Sequence, residues 1–164
     1  MLAHHFQVNI DNFDTSTKKI NHPLSKSDFF SMKVLICEDE EIMLTAIEFR
    51  LQKAGFGILR AKNGQQAIEV LKNAEVGMIV LDMVMPETDC YEVIYQIREE
   101  LKQETPIILL APIEKKDEEV LEAFRMGIDD FVVKPFKPTE LILRIKKIFQ
   151  DKGIVVVKEK LSNR

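Results

Sequence analysis

Lys33-Val34-Leu35-Ile36-Cys37 runs directly into Glu38-Asp39-Glu40. A short, continuously apolar run of this kind reads as a strand covered on both faces of a sheet, because a strand with one wet face would alternate. Downstream, Glu40 to Ala54 sets Ile42, Ala46, Ile47, Leu51 and Ala54 at helical spacing and stops at Gly55, a favoured residue just past a helix end. A short strand is predicted over Ile58 to Ala61, and Asn63 is predicted to cap a helix over Gly64 to Asn73 that carries Ala67, Ile68 and Leu71 inward. The run Val76 to Leu81 is again apolar and ends on Asp82. Asp89 then caps a helix reaching about Lys102, with Val93, Ile94 and Ile97 on one face.

Pro106 to Leu110 reads as a fourth buried strand, Asp117 to Met126 as a helix closed by Gly127, and Phe131 to Val133 as a fifth strand. Thr139 is predicted to cap the last helix, which runs through Leu141, Ile142, Ile145 and Ile148. Five buried strands alternating with five helices call for an α/β fold with a parallel sheet covered on both sides. Right-handed crossovers then restrict it to a doubly wound, flavodoxin-like sheet of strand order 2-1-3-4-5.

Residues 1–31 have a different texture, rich in Asn, Asp, Ser, Thr and Lys and without a sustained period. They are read as a flexible N-terminal extension, residues 32–151 as the domain, and residues 152–164 as a C-terminal tail or truncated linker containing the apolar Ile154 to Val157. His4, His5 and His22 fall in the extension with no acidic or cysteine cluster beside them, so they are not taken as a metal set. The chain has 164 residues, 46% of them hydrophobic and 30% charged, and a formal net charge of −4. That charge argues against nucleic-acid or acidic-membrane binding by this chain. No run reaches the ~20 apolar residues of a membrane span, and the N-terminus lacks a signal-peptide pattern, so a cytoplasmic protein is expected. Cys37 and Cys90 are expected to be reduced thiols rather than a disulfide framework or half of a zinc site.

In open α/β sheets the ligand site lies past the carboxyl ends of the strands, at the switch in strand order. Here the first strand ends in Glu38-Asp39, the third in Asp82 and the fifth in Lys134. Three carboxylates gathered at one crevice repel one another and need a cation or protons. Oxygen ligands of this kind suit Mg²⁺, and Lys134 supplies a point charge for a phosphoryl oxygen or for the acids themselves. A carboxylate can also be the nucleophile in phosphoryl transfer. Each acid could instead merely cap the helix that follows it, which accounts for the residues singly but not for their joint placement.

Three stretches resemble the signature segments of bacterial two-component response-regulator receiver domains: Ile36-Cys37-Glu38-Asp39-Glu40; Val80 to Pro86 followed by Asp89; and Asp129 to Phe136. The resemblance runs from about Lys33 to Gln150. It implies that Asp82 is the phosphorylated residue and that Glu38, Asp39, Asp82 and the main-chain carbonyl of Val84 hold Mg²⁺. It further implies that Lys134 contacts the phosphoryl group and is joined to Pro135 by a cis bond. By the same resemblance the partners are a sensor histidine kinase or phosphotransfer protein. The last helix, from Thr139-Glu140-Leu141 to Arg144-Ile145, is similar to receivers that precede winged-helix DNA-binding domains, which leaves open whether an output domain has been removed.

The chain departs from the family pattern on the fourth strand, where Ala111-Pro112 stands in place of a Thr or Ser and a small residue. Ala111 brings no hydroxyl and Pro112 no backbone N–H. The aromatic switch position is Phe131, and the polar residues that assist hydrolysis in relatives are replaced by Val84 and Ile113. Two functions follow as expectations. One is a phosphorylatable receiver, not an enzyme, that switches a protein-binding surface and forms a weak homodimer through the fourth helix, fifth strand and fifth helix. Glu118, Glu122, Asp130, Lys137, Arg144 and Lys147 offer charges there. The other is a pseudo-receiver that binds proteins independently of phosphorylation. A dehalogenase-like phosphatase is disfavoured because Val84 stands where its second acid belongs, and a P-loop protein is excluded because GxxxxGK[ST] is absent.

Overall fold

The computed structural model describes residues 32–152. The expected extension, its histidines and the apolar stretch Ile154 to Val157 lie outside the described residues. The sheet strands are β1 (Lys33–Cys37), β2 (Gly57–Ala61), β3 (Met78–Asp82), β4 (Ile107–Ala111) and β5 (Asp130–Val133). They alternate with α1 (Glu41–Lys53), α2 (Gly64–Asn73), α3 (Cys90–Tyr95), α4 (Asp117–Met126) and α5 (Pro138–Asp151). The sheet is parallel throughout, in the order β2-β1-β3-β4-β5, as expected from the alternation.

Successive side chains of each central strand bury on opposite faces, which is why the strands read as continuous apolar runs. Val34 and Ile36 join one core with Leu44, Ile47 and Leu51 of α1 and Leu141, Ile145 and Phe149 of α5. Leu35 and Cys37 join the other with Ala67 and Leu71 of α2, Val93 of α3, Ile97 just beyond its end and Ala123 of α4. Asn63 caps α2, its Oδ1 accepting from the Gln66 amide at 2.8 Å, and Asp89 caps α3 in the same manner at 2.9 Å from Tyr91. Gly127 closes α4 in the left-handed region at φ 107°.

Two helix ends differ from the sequence reading. Thr139 does not cap α5. Lys137 occupies the cap and Pro138 the first turn, where its preset φ and missing N–H suit the helix start. After Tyr95, α3 continues as a π-helical turn, Gln96–Glu100. There Arg98 donates to the carbonyls of Gly127 and Gln103 at 2.8 and 2.7 Å, a tertiary grip that helical periodicity does not encode. Among the described residues no helix is long and apolar enough to cross a membrane.

Candidate functional site

Strand register builds the site. Cys37 pairs with Leu81, Asp82 with Leu110, and Ala111 with Val133. The residues just beyond β1 and at the end of β3 are therefore level, and Lys134 follows directly from the partner of Ala111. Glu38, Asp82 and Lys134 consequently converge. The Lys134 ammonium donates to Glu38 Oε2 at 2.9 Å and to Asp82 Oδ2 at 2.8 Å. The remaining carboxylate oxygens are held by the main chain, Glu38 Oε1 by the Glu40 amide at 3.0 Å and Asp82 Oδ1 by the Val84 amide at 3.2 Å. Asp39 is exposed, while Glu38 and Asp82 are 1% and 3% exposed.

Burial pushes the Asp82 carboxyl up to about 6, with help from the Glu38 charge, against the opposing pull of Lys134 and the Val84 amide. Glu38 moves the other way. Burial raises it, but the bonds from Lys134 and the Glu40 amide outweigh that and hold it below the ordinary range. Burial would lower Lys134, yet its bonds to the two acids keep it above its usual value. Glu38 and Lys134 are thus held in their charged forms, and Asp82 is the more readily protonated of the two buried acids.

Glu38, Asp39 and Asp82 can each offer an oxygen, all within 4.8 Å of one another. Three carboxylates against one ammonium leave an excess of negative charge suited to a divalent cation. The donors are hard oxygens, and exposed Asp39 leaves a side open to water, as Mg²⁺ prefers. The residues present therefore fit this ion. The structure brings Glu38, Asp39, Asp82 and Lys134 together as the sequence suggested, and the Lys134–Pro135 bond is cis.

Ala111 is fully buried, and its carbonyl accepts from the Lys134 amide at 2.8 Å. Pro112 opens a turn in which its carbonyl accepts from the Lys115 amide at 3.1 Å. Val84 and Ile113 stand 63% and 67% exposed. Phe131 is half-buried, edge-on to Phe124 at a centroid distance of 6.1 Å, with the Lys115 ammonium 5.5 Å from its ring. The sequence reading missed Lys115; its only local signal was a position in the loop before α4. Both cysteines are free and buried. Burial, then the neighbouring acids, pushes Cys37 up to about 12, and Cys90 rises to about 11 by burial and Asp89, so neither is a reactive thiol.

The charges expected to serve self-association are partly engaged within the chain. Arg144 donates to both carboxylate oxygens of Asp130, at 3.0 and 2.9 Å, and to Glu140 at 3.1 Å. Lys147 pairs with Asp151, and Glu122 with Arg125.

A family model described as the response regulator receiver domain matches residues 34–146. The transcriptional regulatory protein ResD of Bacillus subtilis is 39% identical over 120 residues, covering 72% of this chain and 48% of that protein. The alkaline phosphatase synthesis transcriptional regulatory protein PhoP of the same organism is 30% identical over 131 residues, covering 80% and 54%. The chain thus spans about half the length of these curated relatives. Among solved structures, the receiver domain of the Francisella response regulator 1452 is 27% identical, with a TM-score of 0.67 over 73% of this chain and 98% of that one. A receiver domain protein from Methanospirillum hungatei JF-1 is also 27% identical, with a TM-score of 0.65 over 74% and 97%.

Proposed function

Because this chain belongs to the response regulator receiver domain family, we propose that it accepts a phosphoryl group on Asp82 and thereby switches a protein-binding surface. The observation that carries this reading is the convergence of Glu38, Asp82 and Lys134, with Asp39 at the open side. The donor is a phosphohistidine of a sensor kinase or phosphotransfer protein. An oxygen of Asp82 attacks phosphorus, the new P–O bond forms as the P–N bond breaks, and the electron pair leaves on the imidazole nitrogen, which regains a proton. Lys134 follows the charge from the carboxylate to the transferred group. Mg²⁺, held by Glu38, Asp39, Asp82 and the main-chain carbonyl of Val84, would screen the two anions as they approach.

The alternative of a binding module independent of phosphorylation draws no support, since every charged group of the transfer site is present and assembled. The reading makes the chain a signalling acceptor rather than an enzyme, working in the cytoplasm beside its kinase. The test is incubation with acetyl phosphate and Mg²⁺. Acid-stable, base-labile label should form on the wild type, and none on Asp82→Asn. Asp39→Ala should abolish Mg²⁺ binding by removing the open-side ligand. Label on the Asn variant, or unchanged Mg²⁺ affinity in the Ala variant, would displace the site from this location.

Weak self-association of the α4, β5 and α5 face belongs to the same reading. With Arg144 and Asp130 neutralising each other, it would rest on Leu121 and Phe124, exposed beside Phe131, with Glu118 and Lys137 at the rim. Solution scattering at high concentration should show dimer growing on addition of beryllofluoride; a monomer under both conditions refutes it.

A further inference from the structure

Two helices on one side of the sheet are joined by a polar contact between residues 28 apart in sequence. The Tyr91 hydroxyl donates to the Glu119 carbonyl in the first turn of α4 at 3.1 Å. The Tyr91 ring packs against the core on that side of the sheet, which fixes where its hydroxyl points. Its backbone N–H is held by Asp89, which pairs across a two-residue antiparallel ladder with Val84, and the Val84 amide rests on Asp82 Oδ1. At the far end of α4, Arg98 grips the Gly127 carbonyl with two bonds, of 3.1 and 2.8 Å. The helix is thus anchored to α3 at both ends, by a guanidinium at its C-terminus and by a single phenol at its N-terminus.

Asp82 reaches α4 by two routes. One runs along β4 and through the loop after it, where Ala111 has no hydroxyl to follow a phosphoryl group and Pro112 no N–H to offer it. The other runs from the Val84 amide through the ladder to Tyr91. Lys134 and Val84 occupy the two oxygens of Asp82, so a group added there must rearrange at least one of these contacts, and the ladder hangs from the second.

We propose that Tyr91 is a positioning residue: its hydroxyl holds the first turn of α4 to α3 while Asp82 is unmodified, and so couples the position of α4 to the loading of Asp82. The inference rests on Asp82 being the acceptor. Coupling of this kind is reciprocal, so loosening α4 must make Asp82 easier to load.

The experiment is a titration of the full chain with beryllofluoride in saturating Mg²⁺, followed by fluorine NMR, with hydrogen exchange of the α4 first-turn amides measured alongside. Tyr91→Phe keeps the ring and removes only the hydroxyl. One hydrogen bond made in the unloaded state alone predicts beryllofluoride binding about three- to tenfold tighter than wild type. The first-turn amides should exchange in the unloaded variant as fast as in the loaded wild type. Tyr95→Phe, a half-exposed tyrosine on the same helix, should match the wild type in both respects. Wild-type or weaker affinity in Tyr91→Phe, or an equal shift in Tyr95→Phe, overturns the proposal while leaving Asp82 as the acceptor. Failure of every protein to bind beryllofluoride overturns the acceptor reading and this inference with it.

Discussion

Replacing Lys134 with Met should give a domain whose stability depends on Mg²⁺. The ammonium lies 2.9 Å from Glu38 and 2.8 Å from Asp82, two carboxylates with 1% and 4% of their side-chain surface exposed. Without it, the Glu40 and Val84 amides are their remaining direct partners among the described residues. Removing one member of a buried ionic cluster costs about 3–5 kcal/mol, because the partners stay buried and uncompensated. Lys134 is 24% exposed and the site opens beside Asp39, so the lower end, about 3 kcal/mol, is expected with EDTA. For a urea dependence of ~2 kcal/mol per M this moves the unfolding midpoint down by ~1.5 M. Saturating Mg²⁺ would supply the missing positive charge and recover most of that loss. Phosphoryl label should still fall to background, because nothing else in the site follows the charge from the carboxylate to the transferred group. An equal loss of stability with and without Mg²⁺ would show that Lys134 is not the cation balancing these acids.

The acids and the lysine were legible in the sequence for a physical reason. A strand buried on both faces shows as an unbroken apolar run, so the charged residue that ends it is conspicuous. Glu38, Asp82 and Lys134 each follow or close such a run, and parallel register brings strand ends to one level. What stayed hidden depends on contacts between distant residues. The Tyr91 hydroxyl finds its acceptor in another helix, and nothing in the local pattern around Cys90-Tyr91-Glu92 points there. The charges on β5 and α5 looked available for a second copy because sequence does not show that Asp130 and Arg144 lie side by side. The π-helical turn after Tyr95 has the same origin, since it accompanies Arg98 reaching Gly127. The start of α5 was a competition between two local signals, Pro138 and Thr139, and proline prevailed because a preset φ suits the first helical turn.

The phosphoryl group, once on Asp82, should be long-lived. Hydrolysis needs a water aligned opposite the bond to Asp82, and a polar side chain at the mouth of the site can hold one there. The two positions from which receivers resembling this chain supply such a group carry Val84 and Ile113, 63% and 67% exposed. Neither side chain has a donor or acceptor with which to hold such a water. The absence of a hydroxyl at Ala111 and of an N–H at Pro112 works on a different quantity. Those donors would grip the phosphoryl oxygens in the ground state and transition state alike, so losing them lowers how much product forms more than it changes how fast it decays. The expected behaviour is slow, incomplete labelling by acetyl phosphate followed by slow decay. Val84→Asn should shorten the lifetime by about tenfold, the equivalent of ~1.4 kcal/mol from one oriented hydrogen bond. Ala111→Thr should raise the labelled fraction and leave the decay rate close to wild type. Ala111 is fully buried, and overpacking there can cost about 1–3 kcal/mol, so the thermal midpoint of that variant is measured alongside. A wild-type phosphoprotein that decays as fast as receivers with polar residues at both positions, or a Val84→Asn variant with an unchanged decay rate, would refute the assignment of lifetime to the apolar mouth.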